Sequence, residues 1–189
     1  MLTKDILERY NDYPIFTTKD LSKLIPNKSN EEINTYIKYL IKKKRLFRIT
    51  KGVYSLHKEP IVYGFAFRPF YYGLQNALTI HKIWDQATNP VVITTKKIRI
   101  ETKNILGSKF IVHRIKPKYL FGYELKNVDG FNVPVSDIEK TFIDFIHFKN
   151  NLDNNTIKSI IKKINKTKLK EYLKIYPIQT RMKIENLLK

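Results

Sequence analysis

Two groups of side chains in this sequence have types and spacings that could do chemistry. The first is acid–base: His81 and Asp85 stand four residues apart and Asp144 and His147 three apart, with Asp137 and Glu139 just upstream. Those spacings put each pair on one helix face, the arrangement from which a metal site or a general acid–base pair is built. Neither pair has a third ligand at fixed spacing. Glu139 reads better as a helix-capping residue, and Asp144 as the ion-pair partner of Lys140 one turn earlier. The chain holds no cysteine and only six glycines, with no phosphate-cradling loop and no nucleophile elbow. It is therefore expected to have no catalytic residue, no metal and no cofactor.

The second group could read nucleic acid. Asn30, Asn34, Thr35 and Lys38 are short or flexible polar side chains in the first half of a helix, suited to base edges in a major groove. Lys42, Lys43, Arg45, Arg48 and Lys51 follow, suited to phosphates. From Lys38 to Lys51 the chain carries seven basic residues and no acid.

Several elements must position that group. Thr17, with Asp20 three residues on, has the pattern of a capping box opening a helix whose inward residues are Leu21, Leu24 and Ile25, and Pro26-Asn27 stops it. Ser29 and Glu32 repeat the pattern for the next helix. On a helical wheel Ile33, Tyr36, Ile37, Leu40 and Ile41 cover an arc of roughly 140°, leaving the basic face outside. Lys44 would fall on the apolar side, so the helix ends near Lys43 or Lys44. Two β-type runs, Leu46–Thr50 and Val53–Leu56, flank Lys51-Gly52, where glycine supplies the positive φ of a hairpin turn. Phe47 and Tyr54 belong to the hairpin core. A short helix over 3–12, with Ile6, Leu7 and Tyr10 on one side, precedes all of this and ends before Pro14.

Charge alone does not locate a site. The net charge is +19 over 189 residues, yet residues 1–60 hold 13 basic and 7 acidic side chains, 61–149 hold 13 and 7, and 150–189 hold 10 and 3. Only seven of the 36 basic residues are arginine, a usage that an AT-rich genome also produces. Polyanions remain the natural partners of such a chain, but the acid-free run has to single out the surface. With 42% apolar and 13% aromatic residues the chain can bury a core. The N-terminus lacks the apolar stretch of a signal peptide and no run approaches 18 apolar residues, so a cytoplasmic protein without membrane contact is expected.

Lys58-Glu59-Pro60 reads as a linker. Beyond it, Leu74, Ala77, Leu78, His81 and Trp84 predict a helix within 71–84. Strands are expected over 91–95, 98–101, 110–115, 120–124 and 131–135, the last after an Asp129-Gly130 turn. Ser136 with Glu139 predicts a further capped helix with Ile138, Phe142, Phe145 and Ile146 inward. Residues 156–189 predict two or three helices, with Ile157, Ile160, Ile161 and Ile164 packed rather than lying on a membrane. The stretch from Lys96 to Lys118 carries eight basic residues against Glu101 alone. It is open to three readings: the solvated faces of strands, a second nucleic-acid surface, or a docking face for an acidic partner. The expected fold is α+β: a winged helix-turn-helix over 1–60, then a mixed α/β domain over 61–189 with a small sheet and C-terminal helices.

The order F-T-T-K-D-L-S-K-L, then Y-L-I-K-K-K-R-L-F-R-I-T-K-G-V-Y, resembles the AbiEi-type antitoxin winged-helix domain. Tyr72–Leu78 is similar to that family's helix after the linker. Val133–Ile146, with Lys140-Thr141 and Asp144, resembles its K/R-T-x-x-D helix. The likeness spans most of residues 15–150 and fits the tail less well. It implies a DNA-binding repressor of its own promoter, acting as a monomer or weak dimer on double-stranded DNA. It also implies an antitoxin role beside a nucleotidyltransferase-like toxin. The alternative is a protein-interaction or RNA-binding antitoxin module whose second domain neutralises the toxin, with DNA binding secondary.

Overall fold

The computed structural model describes residues 8, 11–25, 27–98 and 101–188, apart from the side chains of Leu24 and Glu101. The helix expected over 3–12, with Ile6, Leu7 and Tyr10, lies almost entirely outside the described residues, as do Pro26 and the Leu24 side chain.

The chain is α+β. It begins with a three-stranded sheet in the order β1-β3-β2, formed by β1 (Phe16–Thr17), β2 (Phe47–Thr50) and β3 (Val53–Ser55), and with helices α1 (Thr18–Leu24) and α2 (Asn30–Lys42) between the first two strands. The capping boxes expected at Thr17 and Ser29 form. Thr17 accepts from Asp20 N while Asp20 accepts from Thr17 N, and Ser29 and Glu32 exchange the same bonds at 3.2 and 2.9 Å. Each box satisfies two of the backbone donors that a helix start leaves without partners. Helix α2 ends at Lys42, and Lys44 takes a left-handed φ of 54°, which turns the chain into β2. Its apolar arc buries Ile33, Ile37 and Leu40 against Phe16, Leu21, Ile25, Leu46 and Tyr54. Full burial of such a side chain contributes about 1.5–3 kcal/mol, far more than the exposed 2.6 Å Lys28–Glu32 ion pair beside it.

A six-stranded mixed sheet follows, in the order β6-β7-β5-β4-β9-β8. Its strands are β4 (Phe70–Tyr72), β5 (Val91–Thr94), β6 (Glu101–Ile105), β7 (Ser108–Arg114), β8 (Tyr123–Val128) and β9 (Phe131–Ser136). The two-residue period of the strands sorts their side chains between two cores. Phe70, Tyr72, Val92, Val112 and Val135 face a 3-10 helix, Pro60–Phe67, on one side. Tyr71, Val91 and Ile93 face helices on the other. Those helices are α3 (Leu74–Ile80), α4 (Ile138–His147), α5 (Asn154–Lys163), α6 (Lys166–Leu173) and α7 (Ile178–Leu187), with α4 at the centre, in contact with the other four. The isoleucine stripe of α5 packs here, with Ile160 fully buried. Among the described residues, no helix is long and apolar enough to cross a membrane.

Several sequence expectations need correction. Of the strand expected over 98–101, Ile98 lies outside any strand and Glu101 opens β6. Residues 71 and 72 are strand, so the helix expected within 71–84 shrinks to 74–80. The run Phe70-Tyr71-Tyr72 buries both faces in the sheet, and Gly73 turns the chain out of it. Ser136 does not cap α4: it is the last residue of β9, and its hydroxyl lies 2.7 Å from that of Thr141. Asp137 is the N-cap, accepting from Lys140 N at 2.7 Å. The strand expected over 120–124 begins only at Tyr123, because Pro117–Tyr119 forms a 3-10 turn first.

The hairpin of β2 and β3 does not stand free of the larger sheet. Ile49 is part of the core that contains Val62, Phe67 and Ile105, and Val53 and Ile15 pack against it. His57 meets Phe131 edge-on with ring centroids 4.7 Å apart.

Candidate nucleic-acid interface

Local sequence explains the presentation of the basic face. Because Ile33, Ile37 and Leu40 are held inside, residues offset from them on the α2 wheel must point out: Asn34, Thr35, Lys38 and Lys42 are all exposed. The hairpin adds Arg48 from β2 and Lys51 from the turn, where Gly52 adopts φ 75°. The β2–β3 register shifts between Arg48 and Thr50, a bulge that adds twist just before the turn.

The fold brings some of the expected residues together and separates others. Asn34 and Lys38 of α2 line one groove of about 360 Å³ with Arg48 and Lys51 of the hairpin. Its floor is Ile37, Ile41 and Tyr54. Thr35 turns to the opposite flank of α2, into a separate groove with Glu31, Glu32, Tyr36 and Tyr39. Two carboxylates on that flank make it a poor surface for phosphates. Asn30 is exposed in the first turn of α2, and Lys42 and Arg45 are exposed at its far end and beyond it. Lys43 lies over the Tyr39 ring at 6.0 Å, directed towards the Thr35 flank. The groove thus unites four of the nine expected contact residues: Asn34, Lys38, Arg48 and Lys51. Thr18, at the start of α1, also lines it, and helical periodicity gave no sign of that neighbour.

The acid–base group does not assemble. The His81 ring donates from Nε2 to Ser136 O at 2.7 Å, while Asp85 is exposed in the following loop. Asp137 and Glu139 both meet Lys168, at 2.9 and 3.5 Å, and Glu139 also accepts from Asn165 N at 2.7 Å. Glu139 therefore ties α4 to α6 instead of closing a capping box. His147 packs edge-on against Tyr119, and burial lowers its pKa. Among the described residues, no three His, Asp or Glu side chains gather as a metal site.

Asp144 pairs with Lys140 one turn earlier, as its spacing implied, but the pair is fully buried. Tyr71 completes it: its hydroxyl donates to Asp144 Oδ2 at 2.7 Å and accepts from Lys140 Nζ at 2.7 Å. Burial pushes the Asp144 carboxyl up and the Lys140 ammonium down, each against the attraction of the other.

No family model matches the chain, and no curated protein does. Its fold is similar to that of a solved structure, the crystal structure of RV2827C protein from Mycobacterium tuberculosis. The two are 12% identical with a TM-score of 0.65, over 99% of this chain and 76% of that one. At that identity the likeness concerns the fold.

Proposed function

We propose that this chain is a DNA-binding transcriptional repressor whose first 60 residues work as a winged helix-turn-helix. Helix α2 is the recognition helix and the β2–β3 hairpin is the wing. The observation that carries this reading is the shared groove of Asn34, Lys38, Arg48 and Lys51. An amide and an ammonium stand on the helix that would enter the major groove, and two cations stand on the hairpin that would follow the adjacent backbone. The AbiEi resemblance extends the proposal to an antitoxin that represses its own promoter beside a nucleotidyltransferase-like toxin. The burial of Lys140 and Asp144 is in keeping with a structural part for the K-T-x-x-D motif, with no reacting group exposed there.

The test is binding to a duplex from the protein's own upstream region, measured by fluorescence anisotropy against a scrambled duplex. Asn34→Ala with Lys38→Ala should abolish the preference for the native sequence, since each good base contact discriminates by about 1–3 kcal/mol. Arg45→Ala, outside the groove, should weaken both duplexes alike. Unchanged preference in the N34A/K38A protein would remove α2 as the reader. Tighter binding to the matching RNA would favour an RNA-binding module instead.

A further inference from the structure

A second groove, of about 690 Å³, lies on the other side of the hairpin, between it and the β6 edge of the large sheet. Lys51 lines both grooves, so the two meet at the hairpin turn. The second groove continues through Lys96 and Lys103, and Thr50, Thr102 and Asn104 also line it. Its floor includes Ile49 and Ile105, both buried in the core shared by the hairpin and the sheet, so its two walls are held by one packed cluster. The Lys96 ammonium donates to Ala66 O at 3.0 Å, which fixes its direction and leaves two of its three donors for a ligand.

Resting on the DNA reading above, we propose that this groove is a phosphate track for the same duplex. It would carry the contact from the recognition helix past Lys51 and onto the β6 edge. A row of cations without any base-reading helix is the chemistry of backbone contact, which sets register and affinity and carries no sequence preference. This gives part of the basic stretch from Lys96 to Lys118 a task that its even share of the chain's charge did not indicate. The acid-bearing groove on the Thr35 flank of α2 has no such continuity.

The experiment measures the salt dependence of binding and the hydroxyl-radical footprint of the full chain on its upstream duplex. The scrambled duplex and an RNA duplex of the same sequence serve as comparisons. K96Q/K103Q should lower the slope of log K against log salt by about 1.8, near 0.9 per lost phosphate contact, equally on native and scrambled DNA. It should also remove protection from one flank of the footprint, and K96R/K103R should restore both. If K96Q/K103Q melts early, K96R/K103Q carries the test with a slope change of about 0.9. N34A/K38A should instead remove sequence preference and leave the flank protected. An unchanged slope and footprint in K96Q/K103Q, while N34A/K38A loses preference, overturns the track and leaves the repressor reading intact. No binding of the unmodified chain to either DNA duplex overturns both. A slope loss seen only on RNA overturns the track as a DNA surface.

Discussion

Tyr71 reaches Asp144 across 73 residues of sequence, donating its phenolic hydrogen to Oδ2 at 2.7 Å. The tyrosine stands on β4 and the aspartate on α4, so this bond and the Lys140 ammonium between them join the sheet to its central helix. The ammonium lies 5.0, 5.7 and 5.8 Å from the ring centroids of Tyr71, Phe121 and Tyr176. All three members of the network have 0% exposure. A buried charge pair of this kind is costly to break and much less costly to replace whole, because removing one partner leaves the other unsolvated.

Asp144→Leu is therefore expected to lose about 3–5 kcal/mol of stability, and Lys140→Met a similar amount. The double replacement Lys140→Met with Asp144→Leu should lose clearly less than the two single losses combined. Urea unfolding of the four proteins measures this. Additive losses would show that the two residues do not act as a unit.

Tyr71→Phe keeps the ring and removes the hydroxyl that bridges both charges. The expected loss is about 1–3 kcal/mol, the penalty for leaving buried polar groups short of a partner. The same substitution at Tyr123, which stacks on Tyr71 at 5.6 Å but is 44% exposed, should lie within about 0.5 kcal/mol of the parent. Thermal melting distinguishes the two.

Gly64 admits no side chain. A Cβ there would fall 2.2 Å from the Tyr72 hydroxyl and 2.7 Å from Phe70. That hydroxyl accepts from Gly64 N at 3.0 Å and also donates to Ile61 O, which pins the 3-10 helix to the sheet. Gly64→Ala is expected to lose about 1–3 kcal/mol or more through overpacking, read as a lower urea midpoint with unchanged slope. A neutral result would mean that the 3-10 helix can shift away from β4.

The capping carboxylates set the response to acid. Hydrogen bonds from the Thr17 hydroxyl and backbone hold Asp20 below its ordinary 3.8, and the Lys28 ammonium with the Ser29 backbone holds Glu32 below its ordinary 4.5. Because these folded-state values are depressed, their stabilisation is present above the ordinary values and is lost as pH falls through the folded ones. His113 and His147, which burial keeps neutral, add an earlier loss that begins as pH drops below the ordinary 6.5. Amide exchange followed from pH 7 to 3 should show α4 and β7 losing protection first, and the starts of α1 and α2 only below about pH 4. Glu32→Gln should flatten the second phase at α2. Ser29→Ala should cost about 1 kcal/mol at pH 7.

The capping boxes at Thr17 and Ser29 were legible because they involve residues three apart, and nothing distant competes for them. The apolar arc of α2, the Lys51-Gly52 and Asp129-Gly130 turns and the Lys140–Asp144 pairing are local in the same sense. Position 136 shows where locality fails. Ser136 and Asp137 are both good N-caps, and the choice fell to Asp137 because β9 claims the backbone of Ser136 for pairing with Tyr123. Tyr71 could not be read as strand from its own neighbourhood, since a run buried on both faces has no alternation to reveal it.

By itself the sequence determined the starts of α1 and α2, the hairpin turns, which faces of α2 are apolar or basic, and the α+β class. Each follows from spacing or φ preference within a few residues. Tertiary structure alone decided that Asn34 and Lys38 share a groove with Arg48 and Lys51 while Thr35 does not, because that depends on how the hairpin packs across α2. It also decided that Lys51 joins two grooves, and that the Lys140–Asp144 pair lies in the dark under Tyr71. Those outcomes rest on contacts between elements dozens of residues apart, fixed by burial of the shared core, and burial has no address in a local pattern.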